Sequence, residues 1–413
     1  MRILLLSHYF PPEVNAPATR EHAHAAEWAA AGHEVTVVTC RPNCPTGVVF
    51  GGYRNRWRRD VETVDGVRVV RVWTYLAANA GFAKRIANYL SFMVTASLTS
   101  LRERRPDVVV ATSPQFFNGW AGVIVSWLKW RPLVLEIRDI WPESIEAVGA
   151  MRKGPAYRAL EWLERRMYRA ATRIVTVGDG YRVNIESKIT PRRPIEVVTN
   201  GVDAAAFTPR PADGALLAEF GLTGKFVCSY VGTIGMAHGL GVVVEAAALL
   251  RDAGRDDVRF LLVGDGAERE SLEALAAGQG VTDAVVLAGW QPKGRIAAVL
   301  ASSDCCLVHL RPSELFGTVI PSKIFETMAM ERPIVMGVPG QAAEIVAAAG
   351  AGVPMRPGSA EDLVSAIEAL SAQPEEAAAM GRRGRAYVAE HFDRSALARR
   401  MLGVLESAAN GAR

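Results

Sequence analysis

Short, continuously apolar runs recur along this chain at the spacing of one strand and one helix, and that alternation restricts the fold more than any other feature. Runs at 3–6, 35–39, 67–72, 108–111, 133–137, 174–177 and 196–198 are followed by a second series at 227–231, 260–263, 285–287, 305–309 and 334–337, with helical segments between them. Strands that are apolar on both faces belong to parallel sheets covered by helices on both sides, so the pattern predicts an α/β fold built twice. The break falls near Phe207-Thr208-Pro209-Arg210-Pro211, where two prolines follow the turn Asn200-Gly201-Val202-Asp203. The expected domains are 1–205 and 206–389, each a doubly wound, Rossmann-like parallel sheet. Such folds bind ligands at the carboxyl ends of their strands, which places the expected site in a cleft between the two domains.

Composition narrows the class. Half of the 413 residues are hydrophobic and 22% are charged, which excludes disorder as the main state. A net charge of +4 is too small to argue for nucleic acid as a partner. Its distribution is uneven: residues 1–203 carry 28 basic against 19 acidic side chains, and residues 204–413 carry 19 against 24. Five cysteines without a C-x-x-C spacing indicate neither a disulfide framework nor a zinc site, and a reducing cytoplasm is expected. The opening apolar run stops at Ser7-His8, too short for a signal peptide, and the uncharged stretch 108–128 is broken by Ser113-Pro114-Gln115 and Asn118-Gly119, so no membrane span is expected. Residues 86–101 carry no charge and lie between Lys84-Arg85 and Arg102, Arg104 and Arg105. They read either as a core-packed helix ending in solvated arginines or as a helix in peripheral contact with an anionic membrane; Arg54, Arg56, Arg58 and Arg59 around Trp57 favour the second.

Several chemistries lose their support. The first strand leads into Ser7-His8-Tyr9-Phe10-Pro11-Pro12, without a glycine, and Gly264-Asp265-Gly266 has Arg269 where a dinucleotide fingerprint needs its third glycine. Walker A, G-x-S-x-G and H-E-x-x-H sequences are absent. No Asp-x-Asp pair offers a carboxylate cradle for a metal, so neither metal nor cofactor is expected, and any diphosphate would rest on cations and backbone amides.

Two segments supply such groups. Strand 227–231 runs into Gly232-Thr233-Ile234-Gly235-Met236-Ala237-His238-Gly239-Leu240 ahead of a helix, where glycines let amides approach a phosphate. In Pro321-Ser322-Lys323-Ile324-Phe325-Glu326 the proline suits the first position of a helix, which puts Ser322 and Lys323 in a first turn that favours an anion. Lys323 would then be a point charge on a leaving diphosphate, and Glu326, three residues on, could accept hydrogen bonds from ribose hydroxyls. An ordinary helix with a surface Lys–Glu pair is the plainer reading of that segment.

Tyr9-Phe10-Pro11-Pro12-Glu13, Gly32-His33-Glu34-Val35-Thr36-Val37-Val38-Thr39, Asn200-Gly201-Val202-Asp203, Gly264-Asp265-Gly266 and Ser322-Lys323-Ile324-Phe325-Glu326 with Arg332-Pro333-Ile334-Val335 together resemble glycosyltransferase family 4, in order and over nearly the whole chain. Arg138-Asp139-Ile140-Trp141-Pro142-Glu143-Ser144 and Pro321-Ser322-Lys323 are similar to its bacterial O-antigen and capsule branch, which includes L-N-acetylfucosamine transferases. The resemblance implies a GT-B fold, a metal-independent, retaining transfer from a nucleotide-sugar donor, and a final helix from about residue 390 that packs back on the first domain. For the subgroup it implies an N-acetylated hexosamine or deoxyhexosamine, UDP as the carrier, and bacterial surface polysaccharide as the product. The chain departs from the family pattern at Thr233, where arginine is usual, at His238, where lysine is usual, and at Thr318, the first of two glutamates of which only Glu326 remains. Lys323 is expected to supply the missing phosphate charge.

The resulting roles assign the diphosphate to Lys323, Ser322, His238 and the amides from Gly232 through Thr233 to Gly235, with Gly264 beside them, and the ribose to Glu326; the resemblance alone implies that the loop of Gln291, after Gly289-Trp290, takes the base. Asp139, after the fifth strand, either orients or deprotonates the acceptor, or serves as a helix cap or a salt-bridge partner of Arg138. His8 either faces the donor sugar or satisfies a local hydrogen bond. The positive first half suits a saccharide or polyprenyl-diphosphate-linked acceptor at the inner face of the plasma membrane. A nucleotide-sugar epimerase would need no acceptor, a two-lobed periplasmic binding protein would need an export signal, and Thr233 with Thr318 leaves a catalytically silent relative open.

Overall fold

The structure, a computed structural model, describes residues 1–44, 46–77, 82–147, 149, 151–190, 193–313 and 316–411. It divides into two compact units, residues 1–200 together with 394–413, and residues 201–393.

Among the described residues the first unit contains eight strands: β1 (Arg2–Leu6), β2 (Glu34–Cys40), β3 (Asp60–Val64), β4 (Val67–Val72), β5 (Val108–Thr112), β6 (Leu133–Ile137), β7 (Arg173–Thr176) and β8 (Ile195–Val197), ordered β3-β4-β2-β1-β5-β6-β7-β8. All neighbours are parallel except β3 and β4, a hairpin whose turn residues Asp65 and Gly66 both have positive φ, as a type I′ turn requires. Strand β3 was not expected: its sequence Asp-Val-Glu-Thr-Val alternates and lies largely exposed at the sheet edge, so it carries no continuous apolar run. Strands β5 and β6 are buried end to end and carry the core together with β1 and β2, with Ile3, Leu5, Val37, Val110 and Val134 packed together. Chain reversal onto this core comes from the helix Arg394–Asn410, which contributes Leu397, Met401 and Leu405. The indole of Trp28, on the helix Ala16–Ala30, donates to the carbonyl of Ala398 at 2.9 Å and ties the two helices together.

The second unit holds β9 (Phe226–Val231), β10 (Val258–Val263), β11 (Val285–Gly289), β12 (Cys305–His309), β13 (Ile334–Gly337) and β14 (Gly352–Pro354), all parallel and ordered β11-β10-β9-β12-β13-β14. The order reverses between β9 and β12, so the loops that leave β9 and β12 diverge to opposite faces of the sheet and open a crevice at its carboxyl edge. Helices from both directions close the faces, with Leu262, Val243 and Leu363 in one core and Val308, Phe325 and Met328 in the other.

Candidate active site

In the second unit the loops after β9, β10 and β11 are stitched by backbone hydrogen bonds. Gly232 N–H donates to Val263 at 2.8 Å, Gly264 N–H to Gly289 at 2.9 Å, and Ile234 N–H to Asp265 at 3.0 Å. The approach is closer than any side chain allows: a Cβ on Gly264 would lie 1.8 Å from the carbonyl oxygen of Gly232, and one on Gly266 would lie 2.3 Å from that of Ile234. Both glycines also have positive φ, 144° and 158°. Thr233 is exposed above this seam and Gly235 is half-buried.

Lys323 reaches into the seam. Its Nζ stands 3.5 Å from the centroid of the Tyr230 ring, and a Cβ on Gly232 would come within 2.8 Å of it. The nitrogen is sealed from solvent and has no hydrogen-bond partner among the described residues. Burial pushes its pKa down to about 7, although Glu326 and Cys306 pull the other way. A buried ammonium whose donors are unfilled is costly, and an anion placed against it would relieve that cost.

The helix that carries Lys323 begins later than its sequence implies. It runs Lys323–Ala329, with Ser322 as its N-cap making no side-chain cap hydrogen bond, so Pro321 precedes the helix instead of occupying its first position. Only seven residues long, it contributes a small dipole, and the anion-binding capacity of the segment rests on the Lys323 ammonium. Glu326 lies on the same turn and is half-buried.

His238 differs from the role expected of it. Its Nδ1 donates to the carbonyl of Gly235 at 3.2 Å, and burial together with the neighbouring Lys323 pushes its pKa down to about 4. The imidazole is therefore neutral and offers Nε2 as an acceptor; it fits a hydroxyl donor better than a phosphate oxygen. Gln291 is bonded within its own loop, its Nε2 donating to Ala288 at 2.9 Å and its Oε1 accepting from Arg295 at 2.9 Å.

Two neighbours escaped the sequence reading. His309, the last residue of β12, donates through Nδ1 to the carbonyl of His238 at 2.6 Å and accepts the Gly358 N–H at Nε2 at 2.8 Å, which pins the glycine loop to the strand end. Arg311 donates its backbone N–H to Ala237 at 2.9 Å, and its guanidinium pairs with Glu268 at 2.8 Å. Their position, at the end of an apolar strand for His309 and just past it for Arg311, was the available signal.

In the first unit His8 follows β1 and Asp139 follows β6. His8 is buried edge-on against Tyr9, Tyr89 and Phe92, and its Nδ1 accepts from Gln115 Nε2 at 3.1 Å. Burial pushes its pKa down to about 3, so it is a neutral ring held by local partners. Asp139 donates its backbone N–H to Ser113 Oγ at 3.2 Å. Asp139 lines a small cavity with Gln115, Phe116, Trp141 and Tyr168. Burial raises its pKa to about 6 against hydrogen bonds from Ser144 and Trp141. The alternative of a pairing with Arg138 is not what forms: Arg138 bonds Glu21 at 3.3 Å, within a buried network in which Arg20 holds Glu136 at 2.9 Å and Thr112 bridges both carboxylates. Arg20 and Arg138 hold the Glu136 carboxyl well below the usual range, and burial beside that charge drives Glu21 above it.

Two doubly wound sheets, parallel but for the β3 edge of the first and with glycine-lined loops at the carboxyl edge of the second, define the GT-B class. The structure of HepE from Anabaena, solved with UDP and glucose, superposes with a TM-score of 0.73 over 98% of this chain and 99% of that one, at 17% identity. Residues 16–201 match the model of the glycosyl transferase 4-like domain and residues 218–387 that of glycosyl transferases group 1, so the chain belongs to the GT-B glycosyltransferases. It is 31% identical to the 2-deoxystreptamine glucosyltransferase of Streptomyces kanamyceticus over 56% of this chain and 59% of that protein, less than two thirds of the relative's length. It is 27% identical to the putative colanic acid biosynthesis glycosyl transferase WcaI of Escherichia coli over 80% of this chain and 81% of that protein. Among the described residues no group of three or more histidine, cysteine, aspartate or glutamate side chains could hold a metal ion.

Proposed function

We propose that the protein transfers a sugar, an N-acetylated hexosamine or deoxyhexosamine, from a UDP-linked donor to a saccharide or polyprenyl-diphosphate-linked acceptor of a bacterial surface polysaccharide, without a metal and with retention of configuration. The observation that carries this reading is the unpartnered, buried Nζ of Lys323 against the Gly232 backbone. A donor diphosphate placed over the glycine seam would complete its hydrogen bonds, while Glu326 would take the ribose and Gln291 the base. Nε2 of His238 would accept from a sugar hydroxyl. Charge that develops on the departing diphosphate is then met by a preorganised ammonium and amides in a water-poor setting. The similarity to WcaI supports a polysaccharide product, and that to HepE, solved with UDP and glucose, supports a uridine carrier.

A thermal-shift panel of UDP-, GDP-, dTDP- and ADP-linked sugars, with and without EDTA, tests the donor. Stabilisation by the UDP-linked sugars, unchanged by EDTA, is expected, because a ligand that binds only the folded state raises its apparent stability. Stabilisation by none, or only with divalent metal, would overturn the reading.

Asp139 is proposed as the group that orients or deprotonates the acceptor hydroxyl. Asp139→Asn is expected to lower kcat by about 10²-fold and to remove the acid limb of the kcat/KM profile near the pKa of about 6. Activity in the parent rises as pH climbs through that value and the carboxylate forms. An unchanged profile in the variant would remove Asp139 from the mechanism.

A further inference from the structure

We infer that the face formed by the helices Phe82–Arg102 and Phe116–Lys129 docks on an anionic lipid bilayer. This gives the membrane-side acceptor reading a physical surface and rests on that reading for its purpose, though not for its evidence.

The helix Phe82–Arg102 is apolar on two sides. Tyr89, Phe92 and Ala96 are buried against the unit, whereas Leu90, Val94, Leu98 and Leu101, spaced so that they share the other side, are 37%, 50%, 57% and 38% exposed. A helix with apolar residues on both sides calls for a second apolar partner. The helix Phe116–Lys129 packs alongside it, and its end presents Trp127 and Trp130, 77% and 80% exposed, with Leu128 between them. The two ends are joined: Lys129 Nζ donates to the carbonyl of Glu103 at 2.7 Å, and Arg105 Nε donates to that of Lys129 at 3.1 Å. The tryptophans and Leu101 therefore lie at one place.

Charge selects the occupant. Residues 82–131 contain seven Lys and Arg and two acids, Glu103 and Asp107. Glu103 is neutralised by Arg59 and Arg68, and Asp107 accepts the Arg2 N–H at 2.7 Å. Arg102 has no hydrogen-bond or ion-pair partner among the described residues, and Arg105 pairs with no acid. Exposed tryptophans beside unneutralised arginines and an aliphatic stripe match the layering of a bilayer interface, where indoles sit at headgroup depth, alkyl chains lie below and anionic headgroups surround the bases. A protein partner would not explain why acids are nearly excluded from the segment. No described helix is long and apolar enough to cross the membrane, which leaves contact in the plane of the interface.

Co-sedimentation of the full chain with vesicles of phosphatidylcholine, with and without phosphatidylglycerol at about three parts in ten, tests this without any nucleotide present. The parent should partition at least tenfold more strongly to the anionic vesicles, and added salt should weaken it. Trp127→Ser with Trp130→Ser, and separately Arg102→Glu with Arg105→Glu, should each reduce partition about tenfold while the melting midpoint and the donor-induced thermal shift stay as in the parent. Parent protein that ignores anionic vesicles, or variants that bind like the parent, would overturn the inference. So would a dimer in light scattering that the tryptophan variants dissociate, since a second copy would then cover the face. A lost donor shift in the parent would instead count against the transferase reading alone.

Discussion

Lys323→Met is expected to lower kcat by about 10²–10³-fold with the unit still folded, the size of effect seen when one preorganised donor to a developing oxyanion is removed. Methionine keeps the stem against Tyr230 and removes the charge, so packing is conserved and the stability change should be small or favourable. In the folded protein the ammonium titrates near 7, against about 10.4 for a lysine in the unfolded chain. Between those values the unfolded chain binds more protons, so stability rises with pH across the window, and the full penalty of the buried charge is present below pH 7. A bound donor reverses the preference by pairing with the ammonium. Binding at pH 8 should therefore take up close to one proton, read by calorimetry in buffers of different ionisation enthalpy, because a nucleotide sugar has no group of its own that titrates there. Near-normal turnover in the variant, or uptake that persists in it, would remove Lys323 from the diphosphate.

Gly264→Ala should do greater harm through the fold. The new methyl would have to occupy space 1.8 Å from the carbonyl oxygen of Gly232, and the backbone there, at φ 144°, is one that an L side chain rarely adopts. The neighbour is backbone and is fixed by its own hydrogen bond to Val263, so it has no side chain to swing aside. A loss above about 4 kcal/mol is expected, in the range reserved for steric conflict and strain at a special backbone position. Circular dichroism melts should show the second unit destabilised or the protein insoluble. Gly278→Ala, at a site with nothing within 4 Å of the added methyl, should melt as the parent does. Equal melts for both variants would refute the packing argument.

The strands were legible because burial on both faces leaves a continuous apolar run, which local sequence can show. Edge strands break that rule: β3 alternates because one side meets water, and β14 is three residues ending in proline. At the site, the glycines could be read as loops, but their partners could not, since Lys323 meets Gly232 only after the sheet has brought β9 and β12 side by side. The charge state of His238 was likewise illegible, because it depends on a lysine 85 positions away and on burial, neither of which its own segment reveals. Pro321 misled for a local reason: proline favours a helix start, yet the helix begins two residues later.

The helix Arg394–Asn410 supplies Leu397, Met401 and Leu405 to a core otherwise made from the first 200 residues. On the ribosome, the earlier part of that unit must wait while residues 201–393 emerge and can fold, with the apolar sides of Trp28 and its helix uncovered in the interval. Biosynthesis thus passes through a stage in which the later unit is complete and the earlier one still lacks its closing piece. A chaperone has its longest opportunity to act there.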